Sequence, residues 1–114
     1  MKIFIICPVR KITEHQKIEI DEYINKMIND GNEVHSYKNV EQNDISGGLN
    51  ICQAHKLAMK DCDEVHVFFD QTSTGAHFDF GMAFAFNKKI KLIKTYQNTP
   101  EGKSYQKVLE IIGK

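Results

Sequence analysis

Two short, mainly apolar segments limit most strongly what this chain can fold into. Residues 2–7, KIFIIC, end at Pro8, and residues 64–69, EVHVFF, end at a polar segment. Short apolar runs rich in β-branched and aromatic residues, bounded by turn signals, are typical of central strands buried on both faces. Each run is followed by a segment whose apolar residues have helical spacing. The sequence therefore predicts strand–helix units joined into a parallel sheet.

The other segments continue this alternation. Weaker strands are predicted over 33–37 and 89–94, and helices over 13–30, 49–60 and 75–87, with a last helix that Ser104 caps. The order β-α-β-α-β-α-β-α, without repeats or linkers, predicts a sheet with helices on both faces. At 114 residues the chain has room for one domain, residues 1–114.

Composition narrows the classes of partner. Fifteen basic and fifteen acidic residues cancel, which argues against a nucleic acid polymer or an anionic membrane as partner. No segment approaches the roughly 20 apolar residues of a membrane span, and the N-terminal apolar run is too short for a signal peptide. The three cysteines are an odd number without metal-ligand spacing, and predict free thiols in a cytoplasmic protein.

The predicted fold indicates where a ligand would bind. In open α/β sheets ligands lie beyond the carboxyl ends of the strands. The segments expected there are 7–11 after the first strand and 70–79 after the third, whereas 43–48 is a candidate flap or partner-facing loop.

Residues 72–85, TSTGAHFDFGMAFA, contain the most distinctive candidates. Ser73, Thr74 and Gly75 lie where the loop after the third strand enters a helix, and hydroxyls with free N–H groups there can bind an anion. Alternatively, Ser73 or Thr74 only caps that helix. Asp79 is expected in about the first helical turn, where the positive helix end favours an ionised carboxylate. It is either a reactive group or an exposed acid that complements the helix dipole.

Basic residues and histidines supply further candidates. Arg10 and Lys11 follow the first strand, where they can reach a phosphate or remain solvated surface charges. The histidines have no metal-ligand spacing, so no metal site is predicted. His55 on the second helix and His77 before Asp79 can each approach the crevice, although neither need be more than incidental.

With these residues the chain resembles the nucleoside 2-deoxyribosyltransferase-like superfamily, and within it the 2'-deoxynucleoside 5'-monophosphate N-glycosidase branch. The resemblance rests on the pattern S-x-G-x-x-[FY]-[DE]-x-G-x-A, present as STGAHFDFGMA at 73–83. The segments IFIICPVR at 3–10 and HKLAMKDCDEVHVFF at 55–69 support it in the same order along the chain.

This resemblance implies a flavodoxin-like three-layer sandwich with four to five parallel strands in the order 2-1-3-4(-5). It also implies a carboxylate that attacks the anomeric carbon of a nucleoside, after which water or another base resolves the glycosyl-enzyme. The family nucleophile is a glutamate, and Asp79 stands at its position. A second family acid lies 24 positions earlier, where this chain has His55.

The same resemblance implies the rest of the site and the assembly. Ser73, Gly75 and Arg10 would hold a 5'-phosphate. The further substrate-binding candidates at the rim are Pro8, Asp70 and His77. No cofactor is implied, and relatives often form dimers whose sites include a neighbour's loop.

Three functions follow as hypotheses. The first is cleavage or exchange of the N-glycosidic bond of a nucleoside or nucleoside 5'-monophosphate, with Asp79 and His55 as catalytic residues. The second is a nucleotide-binding or sensing module whose altered acids permit no turnover. The third is an assembly partner that binds no small molecule.

Overall fold

The computed structural model describes residues 1–114. Four strands form one parallel sheet in the order β2-β1-β3-β4, so the predicted α/β fold with the order 2-1-3-4 is confirmed. The strands are β1 (Lys2–Ile6), β2 (Glu33–His35), β3 (Glu64–Phe69) and β4 (Lys89–Thr95). The helices are α1 (Glu14–Asn29), α2 (Leu49–Asp61), α3 (Thr74–Ala85) and α4 (Tyr105–Ile112).

The two central strands separate two hydrophobic clusters. Along β1, Ile3 and Ile5 pack with α1, whereas Phe4 and Ile6 belong to the larger cluster on the opposite face. That larger cluster includes residues of α2, α3 and α4. The alternation follows from the pleat, which points successive side chains to opposite faces, and it explains why both central strands are mainly apolar.

The second strand is shorter than predicted because the backbone turns at Ser36. The Ser36 hydroxyl accepts from the N–H of Lys38, and the Asn39 side chain accepts from the N–H of Ser36. These two bonds close a 3₁₀ turn over Tyr37–Asn39 where the sequence predicted further strand. The strand therefore ends at His35, and its side chain lies at the carboxyl edge of the sheet.

The outward face of α3 differs from the prediction. The small residues Gly81, Ala83 and Ala85 predict close packing of α3 on the sheet, but only Ala83 is buried, whereas Gly81 and Ala85 are exposed. Phe78 and Phe84 are each 58% exposed on the same outer side. The exposed side of α3 is therefore apolar, whereas the solvent-facing side of a helix is normally polar.

No helix is long and apolar enough to cross a membrane. The three cysteines are free thiols, as predicted, and Cys62 is buried.

Candidate active site

The centre of the candidate site is a contact between α2 and α3. The Nδ1 atom of His55 lies 3.1 Å from one carboxylate oxygen of Asp79 and 3.3 Å from the other. An ionised carboxylate only accepts, so the imidazole N–H donates and is shared between both oxygens. The two side chains are 15% and 12% exposed, which makes this a largely desolvated pair. The structure thus brings together the two residues that the sequence placed 24 positions apart.

Asp79 is not in the first turn of its helix, as the sequence interpretation expected. Because α3 begins at Thr74, Asp79 is the sixth helical residue, and the first turn contains no acid. The helix dipole acts mainly within the first turn. His55, rather than the helix end, is therefore the group that stabilises the Asp79 charge. The interpretation of Asp79 as an exposed acid is also wrong, since the residue is buried.

His35 is a third member of this cluster, and sequence reasoning did not identify it. Its ring stacks on Phe4 with centroids 5.1 Å apart, and meets the His55 ring edge-on at 5.6 Å. The His55 ring also packs edge-on against Phe4 at 5.3 Å. The order across the sheet edge is thus His35, His55, Asp79. The signal that could have found His35 is its place at the end of β2, next to β1, and not any local motif.

Two nitrogen atoms in this cluster lack a hydrogen-bond partner. The Nε2 atoms of His35 and His55 are both buried, and neither bonds to a protein group. Burial, and then the neighbouring His55, lower the pKa of His35, so that His35 is neutral near pH 7. Buried polar atoms are normally bonded, and exceptions in native structures concentrate where a ligand or a reaction uses them.

The corner before α3 carries the predicted anion-binding residues. The Ser73 hydroxyl accepts from the N–H of Ala76 at 3.2 Å, so Ser73 does cap the helix. The N–H groups of Thr74 and Gly75 lie in the first turn, where no helical acceptor exists. Capping and anion binding are compatible here, because the cap uses a lone pair of the hydroxyl and leaves these two N–H groups free.

Asp70 and His77 hold this corner in place. The Asp70 carboxylate accepts from the N–H of Thr72 at 2.8 Å and from Gln97 at 3.0 Å. Burial raises the pKa of Asp70, but the hydrogen bonds from Thr72 and Gln97 outweigh it and keep the pKa below its usual value. The ring of His77 donates through Nδ1 to the Ser73 carbonyl at 2.7 Å. The polar atoms of both residues thus form hydrogen bonds within this corner and stabilise it.

The segment after β1 contributes a buried residue and a free cation. Pro8 is fully buried, whereas Arg10 is exposed and forms no hydrogen bond or ion pair with the protein. The thiol of Cys7 is close enough to Asp79 to be affected by its charge. Burial, followed by the charges of Asp21 and Asp79, raises the pKa of Cys7 to about 12. Cys7 is therefore a neutral thiol and no nucleophile at physiological pH.

Comparisons with known proteins agree on this fold. No family model matches the sequence, and no curated protein matches it significantly. Among solved structures, the Clostridium botulinum CMP N-glycosidase BcmB matches with a TM-score of 0.70 and 20% identity, over 99% of this chain and 83% of the glycosidase chain. The 2-deoxyribosyltransferase of Bacillus psychrosaccharolyticus matches with a TM-score of 0.71 and 17% identity, over 88% of this chain and 77% of the transferase chain.

The chain is thus an α/β protein of the flavodoxin-like type with a histidine–carboxylate pair at the carboxyl edge of its sheet. Its fold is that of the CMP N-glycosidase and the 2-deoxyribosyltransferase, which confirms at the level of fold the resemblance drawn from the motif at 73–83.

Proposed function

We propose that this protein cleaves or exchanges the N-glycosidic bond of a nucleoside or nucleoside 5'-monophosphate at Asp79. The observation that carries the proposal is the buried Asp79 carboxylate, paired with His55 at the edge where open α/β sheets bind ligands. Support comes from the shared fold of the two matched enzymes, whose names describe an N-glycosidase and a deoxyribosyltransferase.

The chemistry requires an anion beside the anomeric carbon. As the base leaves, positive charge develops on the sugar, and a carboxylate stabilises that charge before bonding to carbon. Asp79 is one methylene shorter than the glutamate of the family it resembles, so the sugar must sit correspondingly closer to α3. A nucleophile and a reacting carbon need to approach to about 3–3.5 Å.

The phosphate of a nucleotide would bind at the corner before α3. The free N–H groups of Thr74 and Gly75 provide donors there, and the Ser73 hydroxyl proton provides another. Arg10 has no protein partner and can add a positive charge from the loop after β1. Pro8, Asp70 and His77 then shape the rim. Phosphate binding of this kind needs only groups of this chain and no cofactor.

The test is release of free base from nucleosides and nucleoside 5'-monophosphates, followed by chromatography. Asp79→Asn keeps the shape of the side chain but removes its charge, and is expected to lower base release by about 10³-fold or more while ligand binding persists. Asp30→Asn, at an exposed position at the end of α1, is the matched control and should leave release unchanged. Equal release by wild type and Asp79→Asn would refute the proposal.

One observation favours the second candidate, a binding or sensing module without turnover. His55 engages both oxygens of Asp79, and a carboxylate stabilised in this way is a weaker nucleophile. In that case nucleotides raise the melting temperature, but no base is released. The double variant His55→Asp, Asp79→Glu restores the acids of the family pattern and should then gain base release, which the wild type would lack.

We also propose that the protein is a homodimer that covers the outer face of α3. Two half-exposed phenylalanines, Phe78 and Phe84, flank the exposed Gly81, and Leu57 on α2 is 70% exposed. Although Leu57 has the helical spacing of a core residue, it does not face the sheet. In a two-fold symmetric dimer the same surface of each copy meets its counterpart, so the phenylalanines of one copy can pack against Gly81 of the other.

The oligomeric state can be measured by light scattering. Phe84→Lys should convert a dimer into a monomer, because a charge at the interface core is costly. Ile111→Lys introduces the same charge at an apolar residue of α4 that is 69% exposed, and should leave the dimer intact. A wild-type protein that is monomeric at micromolar concentration would contradict the proposal.

A further inference from the structure

The bond between His55 and Asp79 has opposite effects on the two halves of the proposed reaction. In the first step the C1'–N bond breaks, its electron pair leaves with the base, and a C1'–O bond to Asp79 forms. In the second step a water oxygen bonds to C1', and the C1'–O bond to Asp79 breaks with its electron pair returning to the carboxylate. The proton that water loses balances the one that the departing base takes up from solvent.

His55 interacts differently with Asp79 in its two states. The shared N–H, at 3.1 and 3.3 Å from the two oxygens, binds a full negative charge when Asp79 is free. When Asp79 is esterified to the sugar, that charge is gone and the hydrogen bond is weaker. Only interactions that differ between states change rates. His55 therefore slows attack by Asp79 and speeds its departure.

No other protein group offsets the Asp79 charge. The carboxylate has no hydrogen-bond partner except His55. The other titratable groups around the pair are Cys7 at the end of β1 and His35 on β2, and both are neutral near pH 7 because burial disfavours their charged forms. His55 is thus the protein group whose interaction with Asp79 changes when the carboxylate is esterified.

We propose that His55 is the charge partner that returns Asp79 from the glycosyl-enzyme, so that this covalent intermediate does not accumulate. This inference rests on the proposed N-glycosidic function. It assigns His55 a role on the nucleophile Asp79 itself. The interaction of a hydrogen bond with a charged group implies a change on the order of 10- to 100-fold in the balance between the two steps.

The experiment is rapid-quench measurement of free base, combined with intact-protein mass spectrometry. The probes are cytidine 5'-monophosphate and its 2'-deoxy analogue. Wild type should release base without an initial burst and remain unmodified. His55→Leu should show a burst approaching one base per site, and an added phosphorylated sugar on the peptide that contains Asp79.

Two further measurements separate this role from a structural one. His55→Asn retains an N–H donor without the possibility of charge and should give a smaller burst, and it serves as the second variant if His55→Leu does not fold. The burst should therefore increase from wild type to His55→Asn to His55→Leu, a ranking that loss of folding alone would not produce. His15→Leu, an exposed histidine of α1, is the matched control and should behave like wild type.

The outcomes distinguish the inference from the function on which it rests. Base release by wild type, with no burst or adduct in either His55 variant, overturns the inference and leaves the function standing. No base release and no adduct with any probe overturns the proposed function, and the inference with it.

Discussion

His66 and His55 lie on opposite faces of the same sheet, and they differ in how their ring nitrogens are used. His66, on β3, is 2% exposed, and both of its nitrogens are bonded: Nδ1 to the hydroxyl of Tyr23 at 2.7 Å and Nε2 to Glu64 at 2.9 Å. His55 bonds through Nδ1 only, and its Nε2 is buried without a partner. One histidine is fully satisfied by the fold, whereas the other is not.

This difference indicates which histidine is structural. A satisfied buried imidazole contributes to stability through its partners, and at His66 the Glu64 carboxylate accepts while the Tyr23 hydroxyl donates. The hydrogen bond from His66 is the main cause that lowers the pKa of Glu64. An unsatisfied buried nitrogen costs stability and persists only where something else selects for it. The two faces of the sheet therefore separate a stabilising cluster from a reactive one.

The largest expected effect on stability is at His66. His66→Leu leaves the Tyr23 hydroxyl and one side of Glu64 without a partner, and is expected to lower the free energy of unfolding by about 2–3 kcal/mol. Urea denaturation measures it as a lower midpoint at unchanged slope. Base release per folded molecule should not change, because His66 lies on the face opposite the Asp79 pair.

A smaller change on the same face calibrates this result. Tyr23→Phe removes only the hydroxyl bonded to His66 at 2.7 Å and should cost about 1 kcal/mol. If Tyr23→Phe and His66→Leu were both neutral, His66 would not be a stabilising residue and the contrast with His55 would fail.

The fold was largely predictable because its signals are local. The apolar runs at β1 and β3 depend on residues close in sequence, and so does the start of α1, where Thr13 and Gln16 form a capping box. Strand order was implied by the family resemblance that the motif at 73–83 carries, and not by the strand pattern itself. The shortened β2 was missed because the turn at Ser36 depends on two side-chain bonds that strand periodicity does not encode.

The candidate site was predictable only in part. The 24-residue spacing placed His55 and Asp79 as a pair, since both positions correspond to acids in the family that the chain resembles. His35 had no such signal, because its contacts with Phe4 and His55 join three separate elements. Asp79 was expected in about the first turn of its helix, but it lies in the second turn because α3 begins at Thr74. Sequence patterns define such a boundary only to within a few residues.

The smallest expected effect, and the one that tests the unsatisfied side of the comparison, is at His35. His35→Phe retains stacking on Phe4 but removes the buried Nε2, so at pH 7.5 the variant should be as stable as wild type or more stable by up to about 1 kcal/mol. Because the pKa of His35 is lower in the folded state than in the unfolded chain, the unfolded chain binds the extra proton first as the pH falls through about 6.5. The stability that neutral His35 contributes is therefore lost on acidification, and the variant should become more stable relative to wild type as the pH falls from 7.5 to 5.5. Solvent screening of a half-buried ring keeps this change small. Thermal unfolding of both proteins across this pH range measures the difference in their stability. If that difference does not change with pH, burial does not disfavour the charged form of His35 and the contrast with His66 fails.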